Sequence, residues 1–211
     1  MKAVKQVKII SLILMVILTI TGFFGFNISG FSIFIGIIAF FVFSDKKNKE
    51  SELDFKSIKI QLSDKKIWFW IFLPMIANFF SMGAACFLLP GFINHVKERV
   101  GQILTFDKML LLSVQLIITA VGEEIAWRAF FQKRLGEHIP MQLSIVLTSI
   151  FFASGHFSSG LVLIVTYDLL FVFINSLFYG IVFKKTNNAW VSAVSHLVAN
   201  VSGIVLLFIV G

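Results

Sequence analysis

Apolar residues fall into seven blocks along the chain, at about 9–25, 28–43, 67–89, 109–132, 139–157, 161–183 and 189–211, with polar connectors between them. A helix needs about 20 residues to cross the hydrocarbon core of a bilayer. The blocks therefore predict membrane helices, the first two short and either little tilted or packed against neighbours. No strand pattern competes, and only helices or closed barrels satisfy the backbone in lipid. The expected fold is an all-α polytopic bundle of about seven transmembrane helices.

The connectors give that bundle an orientation. Lys2, Lys5 and Lys8 precede an apolar run from Ile9 to Ile20. No A-x-A-like cleavage site follows and the next block is again apolar, so this reads as an uncleaved first span. With the N-terminus inside, the inner connectors hold fourteen of the eighteen basic residues, including the seven lysines between 44 and 66, Lys133, Arg134, Lys184 and Lys185. The outer connectors hold Lys97, Arg99 and Lys108. This is the bias of the positive-inside rule, and it predicts N-in and C-out. The connector 44–66 reads as a solvated cytoplasmic loop, or else as an amphipathic segment gaining roughly 1 kcal/mol per lysine on anionic lipid. Residues 91–108 read as a short external loop. The division expected is 1–108, three spans and the basic loop, followed by 109–211.

Composition agrees. Of 211 residues 58% are hydrophobic and 14% charged, with 26 phenylalanines, where a soluble domain carries roughly a quarter charged residues. The net charge of +7 does not mark a nucleic-acid binder, because the lysines sit between apolar runs. The single cysteine, Cys86, excludes an internal disulfide and reads as a small packing residue.

Against this background the ionisable residues inside the apolar blocks become candidates for function. They are Glu123, Glu124, Arg128, His156, Asp168 and His196, with Asn175 and Asn200 as neutral companions. Glu124 and Arg128 are four apart and can pair on one helix face. Glu123 lies about 140° from Arg128 around an α-helix and needs another partner. His196 and Asn200 are again four apart. A carboxylate, two imidazoles and a carboxamide from three helices could form a buried hydrolytic site, with a partly desolvated glutamate as general base and His and Asn on an oxyanion. Glu123, His156 and His196 are equally an acceptable zinc set with an open position for water. Asp168 either lines the same cavity or serves structure. Ser195 and His196 are adjacent and point about 100° apart, which rejects a serine-hydrolase pair.

The motifs Glu123-Glu124-x-x-x-Arg128, Phe152-x-x-x-His156 and His196-x-x-x-Asn200 occur in that order over roughly 109–208. This resembles the CPBP family of intramembrane proteases, which includes CAAX prenyl endopeptidases and bacterial proteins of bacteriocin processing and self-immunity. The resemblance implies that Glu123 activates water with help from His156, that His196 and Asn200 stabilise the tetrahedral intermediate, and that Glu124 and Arg128 hold the site in shape. It implies a peptide or prenylated-protein substrate, a bacterial cell membrane and an active site opening toward the cytoplasm, with zinc or a metal-free mechanism. The chain departs from the commoner pattern in Ala126-Trp127 before Arg128 and in Ala129 after it, where glycine often follows. A non-enzymatic immunity or peptide-binding protein of the same fold is the alternative. A proton-relaying transporter is a third reading, without the broken-helix pair that would support it.

Depth poses a difficulty. A fifth span starting near Ile139 puts His156 about 25 Å deep, against about 12–14 Å for Glu123 and His196. Residues 135–142, with Glu137 and Pro140, are therefore expected to form a surface or re-entrant segment, so that the span begins several residues later.

Overall fold

The computed structural model describes residues 2–44, 46, 49, 52–102, 105 and 107–210, with the backbone alone for 2–5. The side chains of Lys2 and Lys5, and residues 45, 47, 48, 50 and 51 of the basic connector, lie outside the described residues, as do 103, 104 and 106 of the proposed external loop. No strand occurs among the described residues. The helices are α1 Lys2–Ile20, α2 Phe31–Phe43, α3 Ser57–Ser63, α4 Lys65–Leu88, α5 Phe92–Gly101, α6 Met109–Gly136, α7 Met141–Ser154, α8 Val162–Thr186 and α9 Ala189–Val210. A 3₁₀ turn, Thr21–Phe24, prolongs α1 and is closed by Gly25 at φ 82°.

Each apolar block became a helix, but the blocks are not equal. Five helices are long and apolar enough to cross a membrane. The other two, α2 and α7, have 13 and 14 residues and extend about 20 Å against a hydrocarbon core of about 30 Å. The outward faces are phenylalanine, leucine and isoleucine, as at Phe34, Ile38, Phe69, Phe80 and Leu110. The interior is polar by comparison, holding Glu124, Arg128, Gln132, Thr148, Ser149, Ser176 and Ser192 at no exposure. Apolar outside and polar inside is the pattern of a chain whose solvent is lipid, and the chain is an integral membrane protein.

Small residues set the helix spacing, as expected where helices associate without a hydrophobic drive. On α9, Ser192, Ala193, Ser195, Ala199 and Ser202 are buried. Ile67 and Ile71 of α4 form one core with Val182 of α8 and Val191 of α9, so α4 shares its packing with the C-terminal helices. The middle of α6, Ile125–Gln132, is wound as a π-helix and is wholly buried. It packs on Met15 of α1 and Phe40 of α2. At this crossing Gly36 of α2 lies so close that a Cβ there would stand 2.6 Å from the Ala126 Cβ. The close approach that a glycine after Arg128 would give is thus supplied from the facing helix, while Ala126 and Ala129 are fully buried.

Three expectations are corrected. The stretch 91–108 is not simply a loop, because α5 places Phe92, His95, Val96 and Arg99 on one face by their three- and four-residue spacing. Phe92 and Val96 pack on Met82 and Ala85 of α4, Ile164 of α8 and Leu206 and Leu207 of α9. The described part of 44–66 is not a freely solvated loop. Glu52 is fully buried in an ion pair with Lys133, the Trp190 indole donates to the Leu53 carbonyl at 3.1 Å, and Asn188 donates to the Asp54 carbonyl at 2.8 Å. Cys86, expected as a packing residue, is exposed on α4.

The bundle has two distinct ends. At one, the segment 52–63 meets the α6–α7 and α8–α9 turns, with Gln61 donating to the Thr186 carbonyl and Arg134 donating to Ser44. At the other, 21–30, α5 and 155–161 meet. Ser29 donates to the Gly155 carbonyl at 2.9 Å, the Phe23 and Phe157 rings are 4.3 Å apart, and Asn27 reaches Gln102 at 3.4 Å.

Candidate active site

The depth difficulty resolves differently from expectation. α7 begins at Met141, directly after Pro140, and not several residues later. Instead α6 runs on to Gly136 and α7 is short. Glu123 and His156 are each about 20 Å from the helix ends at 136 and 141. On α9, His196 lies only about 10 Å from its helix start. That start is itself sunk in the protein, since Asn188 is fully buried beneath Asp54 and Ser57.

The residues then meet around one cavity of about 450 Å³, which Glu123, His156, Asp168, Asn175, His196 and Asn200 all line. Behind that wall stands Glu124, which no solvent reaches. Its Oε2 accepts from Arg128 Nε at 3.2 Å and from the Ser192 hydroxyl at 2.5 Å. Its Oε1 accepts from His196 Nδ1 at 3.0 Å. Arg128 Nη2 donates to Ser176 at 2.8 Å, and its guanidinium lies 5.2 Å from the Phe152 ring centroid and 5.9 Å from that of Tyr179. Two aromatic faces thus share the cation with the carboxylate.

Both histidines are oriented by their Nδ1 atoms. His156 follows the end of α7, and its Nδ1 bonds the Phe152 carbonyl at 2.8 Å. A carbonyl and a carboxylate only accept, so each Nδ1 carries a proton and each Nε2 of a neutral ring offers a lone pair. The His196 ring is further held by stacking on Tyr179, at 4.4 Å and 15°. Its Nε2 is 3.7 Å from Glu123 Oε2. Phe152 connects the two imidazoles, at 4.6 Å from His156 and 5.9 Å from His196. Asn200 lies one turn beyond His196 on the cavity wall. Glu123, unlike Glu124, keeps partial exposure, at 13%. One glutamate is neutralised and buried while its neighbour faces a space that water and a substrate can share.

Asp168 lines the same cavity, but its carboxylate is committed. Arg99 of α5 meets it through two nitrogens, at 2.7 and 3.0 Å, and His95 stands 3.5 Å away. Asn175 donates to Asn78 of α4 at 2.8 Å, and Asn78 donates to the Ala199 carbonyl of α9. Ser195 turns away from the cavity and donates to the Ile71 carbonyl, which agrees with the rejection of a Ser–His pair. Among the described residues no three His, Cys, Asp or Glu side chains form a metal-ligand group. Each imidazole could offer a metal only Nε2, and the steps below run through Glu123, His156 and His196 themselves.

Sequence reasoning missed Ser176, Tyr179 and Ser192. Ser192 precedes His196 by the same four residues that separate His196 from Asn200, so a helical stripe was there to extend. Ser176 and Tyr179 carry no comparable signal.

The cavity also reaches Asn27, Ser29, Arg99, Gln102 and Ser158, all at the end opposite the basic connectors.

Residues 105–202 match the family model described as Rce1-like, type II CAAX prenyl endopeptidase. That stretch nearly coincides with the one over which the three motifs resemble the CPBP proteases. No curated protein and no solved structure matches the chain.

Proposed function

From the match of residues 105–202 to the Rce1-like model, a model of a protease family, we propose that the protein is an intramembrane endopeptidase in which Glu123 activates water. Glu123 takes a proton from a water held with His156 Nε2, and the hydroxide forms a bond to the scissile carbonyl carbon. The carbonyl π pair moves onto oxygen, where the Asn200 amide donates to it, as does His196 once its Nε2 has taken a proton from solvent to give the imidazolium. On collapse the C–N bond breaks and the Glu123 proton passes to the leaving nitrogen. Glu124 supports His196 through Nδ1 and is itself held by Arg128 and Ser192.

The single observation that carries this reading is the difference between two adjacent carboxylates. Glu124 is saturated by Arg128, Ser192 and His196, whereas Glu123 lines the cavity with both histidines and Asn200. The test uses purified protein in detergent and a pool of internally quenched peptides. Glu123→Gln and His156→Ala are each expected to lower turnover by roughly 10²–10⁴-fold while melting as the parent does. A chelator is expected to leave the rate within about twofold, since no step needs a metal. Full turnover by Glu123→Gln would refute the mechanism. Bacteriocin protection that persists in both variants would favour a peptide-binding immunity protein.

A further inference from the structure

The cavity belongs to one end of the bundle, and the basic residues belong to the other. Lys56, Lys59, Lys65, Lys66, Lys133, Arg134, Lys184 and Lys185 all lie on connectors or helix termini of the end closed by 52–63. Those connectors are short and sit within a few residues of the helix ends, where the positive-inside rule acts. The cavity end has Lys97, Arg99 and Lys108, and Arg99 is tied to Asp168 by two contacts. The basic end is also sealed against a substrate. Asn188, Gln132 and Glu52 are fully buried there, and the ion pair of Glu52 with Lys133 clasps the connector over α6.

We propose that the cavity opens on the extracytoplasmic side of the membrane. Its substrate is then a peptide segment at that outer surface, either an exported peptide or the outer juxtamembrane stretch of another membrane protein. That the substrate is a peptide rests on the endopeptidase reading; the sidedness does not. A prenylated C-terminal tail hangs from the cytoplasmic leaflet and would meet the sealed end, about a bilayer's thickness from Glu123's opening. The cavity chemistry suits an uncharged main chain, because Arg99 is paired with Asp168 and, beyond Glu123 and the two histidines, the polar groups are carboxamides and hydroxyls, as at Asn78, Asn175 and Ser81.

Two labels test the sidedness. In a Cys86→Ser background, Ser159→Cys places a thiol on the exposed connector at the cavity end, and Ser63→Cys places one on the exposed end of α3. Neither residue lines the cavity. A membrane-impermeant maleimide applied to intact cells is expected to label position 159 about tenfold more than position 63, with both equal once the membrane is dissolved, as the distribution of lysines requires. Preferential labelling at 63 would overturn the proposal. The quenched peptide pool, added to intact cells, is expected to be cleaved without permeabilisation; cleavage only by inverted vesicles would also overturn it. Label at 159 with no cleavage even in detergent would support the orientation and refute the peptidase.

Discussion

Arg128 illustrates how much one buried ion demands of its surroundings. Among the described residues it is the largest side chain with no exposure, and Glu124, Ser176 and the faces of Phe152 and Tyr179 answer its charge. Removing only the cation strands the Glu124 carboxylate. Arg128→Met is therefore expected to cost about 3–5 kcal/mol, a fall of roughly 10 °C or more in melting temperature for a chain of this length. Adding Glu124→Gln should restore part of that loss, a coupling that thermal melts of the two single variants and the double variant would measure. The pair was legible in the sequence because charges four apart in an apolar run have little choice of partner. The groups completing the shell were not. Serine is common on membrane helices as a packing residue, and nothing in the local pattern separates Ser176, which serves Arg128, from Ser154, which donates to its own helix at Ile150.

Among the elements, what could be read was hydropathy, and what could not was backbone winding. Seven blocks gave seven helices, yet the π segment Ile125–Gln132 uses residues that an α-helix would accept equally well. Its cause is tertiary. Wound this way, the segment buries all eight of its residues among α1, α2, α7 and α8, and such irregular turns recur at functional sites. Helix α5 went unread for the opposite reason, since its inward face consists of Phe92, His95, Val96 and the half-buried Arg99, too few and too polar to form an apolar block. The α2 crossing offers a direct test. A methyl group added at Gly36 would lie 2.6 Å from the Ala126 Cβ and 2.9 Å from its Cα, so backbone must move. Gly36→Ala is expected to cost about 1–3 kcal/mol, read as a lower melting temperature, with a loss of turnover larger than that at the lipid-facing Gly83, where a Cβ meets nothing.

For the molecule as a whole, the two ends are bound with unequal firmness. Glu52 with Lys133, Arg134 with Ser44, Asn188 with Asp54 and Trp190 with Leu53 fasten the basic end through side chains that are largely buried. At the opposite end α5 is held by its apolar face and by Arg99 with Asp168, but the turns 21–30 and 155–161 meet through Ser29 with Gly155, a long and exposed Asn27–Gln102 contact, and two phenylalanine rings. Warming should accordingly loosen the rim around Glu123 while the base still holds, since local opening precedes global unfolding where contacts are few and wet. Peptide turnover is then expected to fade several degrees below the cooperative melt and to return on cooling, and amide exchange should quicken first in residues 25–30 and 155–160. The protein would tire at its mouth long before it came apart.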